Sequence, residues 1–424
     1  MKKIGSDYKL TIKRHKSSYS SKLLFMWLME LYFMTIARFI LSKMGFDTGW
    51  LRSITLFLVA SIPLISFLIH IKQFKARQYI GSILLFLLVG IGFMLTIIIH
   101  PEYAVYFKRP GYGIDRVLRP ECALYAFLFF SIVDDPDELL EVVRKYAIFY
   151  YIYIMIMQFI PRIVTGYFLD VDYLGRVVKR AYSLSFGYSM LFPTIVFLYI
   201  YIRRKKIIYF LGGIFGGVTI FLYGNRGALL MIVIFLGLMV ISNIIDSKNM
   251  SRKTIKILFV ILLVIITFLL GEKILQGTVS CLQSLGIESR TLEMLVAGEI
   301  TNNSGRDVIW KSVIGAIRKG GIFGYGIFGD RPIVTPLHYV GYSHNIFLEL
   351  LVSFGIIGAV LIIKICIDSY RMIFLCKDSK WRGLFIIFFS ISCQLITSMS
   401  FWYVMEFWAA AAIAHKYFLL SKRK

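Results

Sequence analysis

Three short stretches of this chain carry side chains able to bind an anion or move a proton, and each is set against apolar sequence. In YGNRGALL, residues 223–230, Arg226 stands between Gly224 and Gly227. In SGRDVIW, residues 304–310, Arg306 falls where a helix should start. In GYSHNIFLELLVSFGIIG, residues 341–358, Ser343, His344 and Asn345 head a run apolar enough to cross a bilayer. A guanidinium is always charged and meets phosphate oxygens with two parallel donors. An unperturbed imidazole titrates near 6.5, so at neutral pH much of it is free to accept a proton. Together these groups could bind an anion and accept a proton.

Each position also has a plainer reading. Arg226 in a very short turn can be an interfacial anchor that snorkels to water, which avoids the roughly 2.5–3.5 kcal/mol cost of an arginine at the bilayer centre. Its flanking glycines nonetheless leave room for a ligand to reach the backbone. Arg306 can pair with Asp307 or a lipid headgroup. The helix dipole disfavours a cation in a first turn by roughly 0.3–1 kcal/mol, whereas an anion there meets free N–H groups. His344 can simply be a polar residue that caps a span.

Other chemistries have less support. The five cysteines are scattered with no CxxC, which speaks against metal or redox work. The outer acids, Asp307 and Asp330 among them, form no carboxylate pair at ligand spacing, so a metal-dependent mechanism is the weaker expectation and no cofactor is called for. Glu349, five residues beyond His344, lies off the His344 face at 100° per residue. GYGIFG, residues 324–329, matches GxGxxG, but no βαβ unit surrounds it and DRPIVTP after it is not expected to open a helix. It reads as a tight loop folding over a cavity, not as a dinucleotide site.

The elements that must position these groups are membrane spans. Of 424 residues 58% are hydrophobic and 17% charged, more apolar and less charged than a soluble domain uses. Apolar runs fall near 23–42, 53–71, 79–99, 117–133, 147–165, 182–202, 207–223, 227–245, 255–271, 343–366, 383–401 and 403–420. The expected fold class is therefore all-α, a polytopic integral membrane protein with about twelve transmembrane helices. One transmembrane domain covers 1–424, with an extracytoplasmic loop at 272–342 inserted between spans. Within it NNSGRDVIWKSVIGAIRKGG reads as an amphipathic helix, with Ile309, Trp310, Val313, Ile314 and Ile317 on one side, a capping-box-like start at Ser304 and Asp307, and a stop at Gly320–Gly321.

The net charge of +24 sorts with these spans and does not point to nucleic acid. If spans alternate, most basic segments fall on one side, expected to be the cytoplasm of a cytoplasmic-membrane protein with both termini inside. The basic N-terminal tail precedes an uncleaved first span, not a signal peptide. The exceptions lie outside: Arg109 and Arg116 in 101–120, and Lys179 and Arg180 in 162–180. They oppose the insertion bias, which an anionic ligand at the outer face explains; ordinary loop cations are the alternative.

In order and sidedness, these motifs resemble the O-antigen ligase and polysaccharide polymerase superfamily, the Wzy and WaaL type. NRGALL resembles its short arginine–glycine turn, and GRDVIW…GYGIFG its outer-loop arginine helix followed by a glycine-rich stretch. HNIFLELLVSFGIIG resembles its signature of His, then Asn, Ser or Gln, nine residues and GxxG, with Gly355 and Gly358 in place. The resemblance runs from about 180 to 360. One departure is that RAYSLSFGYSMLFP lacks the Pro-Asn often found near the arginine that Arg180 would represent.

The resemblance implies glycosyl transfer outside the cytoplasm from a polyprenyl-diphosphate-linked oligosaccharide to an acceptor glycan, within the lipid bilayer and with a chain-length regulator as a further candidate partner. Arg226 and Arg306 would hold the diphosphate and His344 would take the acceptor proton or orient the hydroxyl, giving inversion without a metal. Arg180, Asn345, Arg109, Arg116 and Lys179 would help bind substrate. The further outer cations suit a second diphosphate and so a repeat-unit polymerase; a ligase acting on lipid A core or protein is the alternative. A lipid-linked oligosaccharide flippase or other transporter is the rival from another class, although it would place its site near mid-membrane with internal symmetry.

Overall fold

The computed structural model describes residues 18–46, 50–109, 111–171, 177–180, 183–223, 226–247, 277, 305–338 and 341–421. Among these the chain is helical save for one short antiparallel hairpin, β1 (Phe168–Val171) and β2 (Val177–Arg180). Five helices are long and apolar enough to cross a membrane, and six if the bent pair at the N-terminus is one span. The expected span at 255–271 and the capping residue Ser304 lie outside the described residues.

Local sequence explains where the helices begin and end. α1 (Tyr19–Leu28) and α2 (Glu30–Lys43) meet at a 52° bend, and α3 (Trp50–Ile69) returns beside α2. α4 (Ala76–Ile99) has 24 residues with no acid, about 36 Å of helix against a hydrocarbon core of about 30 Å. The expected span at 117–133 is not a continuous helix: only α5 (Ala126–Ser131) and short turns form there. Pro120 stands in the gap, its carbonyl accepting from the Trp27 indole at 2.9 Å. α6 (Pro136–Ile154) starts at Asp135, whose carboxylate caps the Asp137 N–H, with Pro136 at the first helical position.

The second half forms the centre. α7 (Leu184–Arg204) is capped by Ser183 and pairs closely with α8 (Ile207–Tyr223). Gly216 of α8 lies so near Thr194 that a Cβ there would stand 2.2 Å from its hydroxyl oxygen. α9 (Arg226–Ile245) follows. α10 (Arg306–Lys319) is the amphipathic helix, and α11 (Arg331–Val334) a single turn. α12 (Ile346–Tyr370), α13 (Ser379–Ser392) and α14 (Met405–Ser421) complete the bundle. α13 is apolar on nearly every side and correspondingly buried, packing against α9, α14, α7 and α6. It stops earlier than the expected 383–401 span, giving way to a tight turn at Cys393–Ile396.

The polar contacts sort into two ends. At one end Lys416 reaches Ser131 and Asp134, Arg382 reaches Asp246, Lys380 reaches Asp137, and Arg203 reaches the Ser379 carbonyl. At the other, Tyr403 donates to the Tyr112 carbonyl at 2.6 Å, and Asn345 donates to the Ile396 carbonyl at 2.9 Å. The alternation of spans read from Lys and Arg predicts the same partition. His344, Arg306 and Arg226 all belong to the second end.

Candidate functional site

The head of α12 is built by pinning the residues on either side of His344. Asn345 is the N-cap: its Oδ1 accepts from Phe347 N–H at 2.9 Å and Leu348 N–H at 3.1 Å, and its Nδ2 is spent on Ile396. The Asn345 side chain thus completes the helix and joins it to the turn after α13. On the other side, the Ser343 N–H and hydroxyl both donate to Asp330 Oδ2, at 2.8 and 2.7 Å. The Ser343 carbonyl accepts from the Trp310 indole at 3.1 Å. Between these two residues His344 has φ +53°, the left-handed region that non-glycine residues seldom occupy.

His344 is 9% exposed, and its buried Nδ1 has no hydrogen-bond partner among the described residues. It lies 4.4 Å from the Tyr342 ring and 5.3 Å, nearly perpendicular, from the His338 ring, centre to centre. The expectation of a histidine poised near neutrality is corrected here. Burial first, then the charges of Arg306, His338 and Arg331, push its pKa down to about 3. His344 is a neutral imidazole at physiological pH. His338 is lowered too, by burial and by Arg306.

Arg306 reaches this place because α10 is amphipathic as expected. Ile309 and Val313 are buried against Val334 of α11 and Val352 of α12, which lays α10 over the head of α12. Gly305, at φ +79°, is the N-cap residue of α10 and itself brings no side chain to the leading N–H groups. Arg109 joins from a different element. A Cβ built on Gly341 would stand 2.9 Å from Arg109 Nη1, so this guanidinium lies against the loop that carries His344.

Beneath the loop lies a buried ionic cluster that sequence reasoning missed. Arg331 Nη1 binds both oxygens of Asp330, at 2.8 and 2.9 Å, and Nη2 lies 3.5 Å from Glu349 Oε1. Nη2 also reaches the Tyr403 hydroxyl at 3.3 Å and the Ser400 hydroxyl at 3.4 Å, and the guanidinium stacks on Phe328 at 4.5 Å. Asp330 and Glu349 are fully buried and Arg331 nearly so. The available signal was an acid within an apolar span, which demands a partner. Measuring Glu349 only against the His344 face hid it, because the partner comes from another segment.

The glycine-rich stretch explains how that segment arrives. α12 breaks at Gly355, φ +54° and ψ −124°, about 14 Å along the helix from Ile346. The Val352 and Ser353 carbonyls beside the break accept from the N–H groups of Tyr325 and Gly326, at 2.9 and 2.8 Å. In return the Ile356 N–H donates to the Ile322 carbonyl at 2.8 Å. On its other side the Ile327 N–H donates to the Thr96 hydroxyl of α4 at 2.9 Å. So GYGIFG descends between α4 and α12 and satisfies a broken membrane helix, the one setting in which irregular backbone is tolerated at that depth. Contrary to expectation, the residues after it do open a helix, the single turn of α11, with Pro332 in its first turn. That turn faces the buried cluster, and no strand adjoins it among the described residues.

The remaining site residues are placed as follows. Arg226 is the first residue of α9, and residues 224–225 lie outside the described residues. Since Arg382 near the start of α13 binds Asp246 just past the end of α9, the two helices are antiparallel. Arg226 therefore sits at the end where α13 passes into the Cys393–Ile396 turn, which α9 also touches and to which Asn345 is bonded. Lys179 is exposed on β2, and Arg180 ends that strand opposite Phe168, its side chain outside the described atoms. Phe168 packs against Phe186 and Tyr223, which sets β1 beside the end of α8. Arg116 lines a separate cavity of about 140 Å³ with Trp27, Glu121, Cys122, Ala123, Tyr403 and Met405. Tyr403 is the wall between that cavity and Arg331.

Residues 211–363 match the family described as Wzy_C, O-antigen ligase, a range that contains Arg226, Arg306, His344, Gly355 and Gly358. No curated protein and no solved structure matches the chain. Residues 211–363 thus carry a domain similar to the O-antigen ligase family, set in a chain whose helices are long and apolar enough to cross a membrane.

Proposed function

We propose that the protein is a repeat-unit polymerase of the cytoplasmic membrane, transferring a glycan from a polyprenyl diphosphate to an acceptor sugar hydroxyl at the extracytoplasmic end of the bundle. The termini then lie in the cytoplasm. The observation that carries this reading is the convergence on one loop of a neutral imidazole, whose Nδ1 has no partner among the described residues, and two cations from distant segments: His344, Arg306 and Arg109.

In the reaction the acceptor oxygen attacks the anomeric carbon, and the bond from that carbon to the diphosphate oxygen breaks. The electron pair leaves with the diphosphate, and the hydroxyl proton passes to His344. Attack opposite the leaving group inverts the anomeric centre. Arg306, Arg109 and Arg226 stabilise the charge that grows on the diphosphate, more in the transition state than before it, by a few kcal/mol per good contact. A base with a pKa near 3 is weak in the resting protein. Arg306 is one cause of that depression, and a diphosphate bound to Arg306 offsets its charge. Donor binding thereby raises the basicity of His344 at the moment it is needed.

A polymerase needs a place for a second lipid diphosphate. The Arg116 cavity, one tyrosine away from Arg331, supplies a cation there, with Arg119 beside it already paired to Glu121 at 2.9 Å. The test is reconstitution of the full chain in liposomes with a synthetic lipid-linked repeat unit. A ladder of products supports polymerisation. A single adduct formed only when lipid A core is supplied supports the ligase instead, and movement of substrate across the bilayer that persists in H344A supports a transporter.

A further inference from the structure

We propose that Asp330 is a positioning residue for His344, acting through Ser343, and that Arg331 and Glu349 anchor it to α12. Only the kinetic arm of the test rests on the transferase reading above.

The argument is one of constraint. His344 holds a backbone conformation that costs an L residue energy, and such a residue stays there only when its surroundings over-determine it. The constraint after it is the Asn345 cap, which any well-formed helix would have. The constraint before it is unusual: both donors of Ser343 converge on a single carboxylate oxygen, and the carbonyl of the same residue is held by Trp310. Asp330 cannot shift to follow Ser343, because Arg331 grips both its oxygens. Arg331 in turn is fixed by Glu349 of α12 and by Ser400 and Tyr403 ahead of α14. The clamp therefore ties the loop before His344 to two helices. Without it, residue 344 relaxes out of the left-handed region and the ring swings from its place beside His338 and Arg306.

The experiment compares wild type, D330N and S343A as full-length protein in lipid nanodiscs, with two readouts. In steady-state transfer, D330N should lower kcat about 100-fold with donor KM within about threefold, and S343A about tenfold, the pattern of a misplaced group and not of a lost binding contact. In chemical modification, the rate at which diethyl pyrocarbonate labels His344, measured by peptide mass spectrometry against His100, should rise at least about fivefold in both variants. Wild-type kcat, a defect confined to KM, or unchanged His344 labelling would each overturn the proposal. Should D330N fail to fold, S343A decides alone. Should the wild type transfer no glycan, the transferase reading falls and the labelling arm still judges this one.

Discussion

The rings of His338 and His344 stand 5.3 Å apart at nearly a right angle, and the charge of Arg306 reaches both. With its pKa depressed to about 3, His344 stays neutral in the folded protein wherever an unfolded histidine, near 6.5, would already be protonated. Its contribution to stability is whole above pH 6.5 and is lost as pH falls toward 3. In the pH profile of kcat/KM, no acid limb from His344 is expected between about pH 5 and 8. R306Q should move that limb upward, toward the ordinary histidine value. A limb near 6.5 in the wild type, absent from a His344 variant, would contradict this.

Removing either arginine should damage transfer and spare insertion. R306A and R226A are each expected to lower kcat/KM by about 10²–10³-fold, and R306K and R226K to recover part of it, since an ammonium keeps the charge without the two-pronged geometry. Membrane yield and Tm in detergent should match the wild type. A loss of yield that parallels the loss of rate would assign these residues to folding.

Arg116 offers a test of where the acceptor binds. If its cavity takes the acceptor, R116A should raise the acceptor KM about tenfold or more and leave donor binding unchanged. A change in donor affinity alone would move Arg116 out of the acceptor site.

Backbone contact between two glycines gives a stability prediction. A Cβ built on Gly324 would stand 2.7 Å from the Gly355 nitrogen, and one on Gly355 would stand 2.0 Å from the Ile322 carbonyl oxygen. Both residues have positive φ. G324A and G355A should each cost about 1–3 kcal/mol or more, read as a lower Tm. Gly217, in the middle of α8 with nothing within 4 Å of its would-be Cβ, is the control. G217A should be neutral or stabilising by up to about 1 kcal/mol.

How far the sequence disclosed this site depends on the range of the interactions. Helical periodicity is local, so the buried face of α10 at Ile309 and Val313 was readable, and so was the apolar run that begins beside His344. The alternation of spans read from Lys and Arg groups the same residues together as the two ends of polar contacts do. What stayed hidden depends on segments remote in sequence. Arg331 and Glu349 are neighbours only because α12 breaks at Gly355 and a loop descends to fill the break. The 117–133 run looked like a span because hydropathy does not register that Pro120 interrupts the helix. The titration of His344 is set by burial and by charges from three other positions, none adjacent to it.

The break in α12 also bears on biogenesis. Residues 322–326 supply partners to the carbonyls of Val352 and Ser353 and to the amide of Ile356 at the break, where a backbone group left bare in hydrocarbon costs several kcal/mol. The segment that completes them is made before α12, so it is already at hand when the helix enters the lipid. Docking of residues 322–326 and membrane entry of α12 are therefore coupled steps.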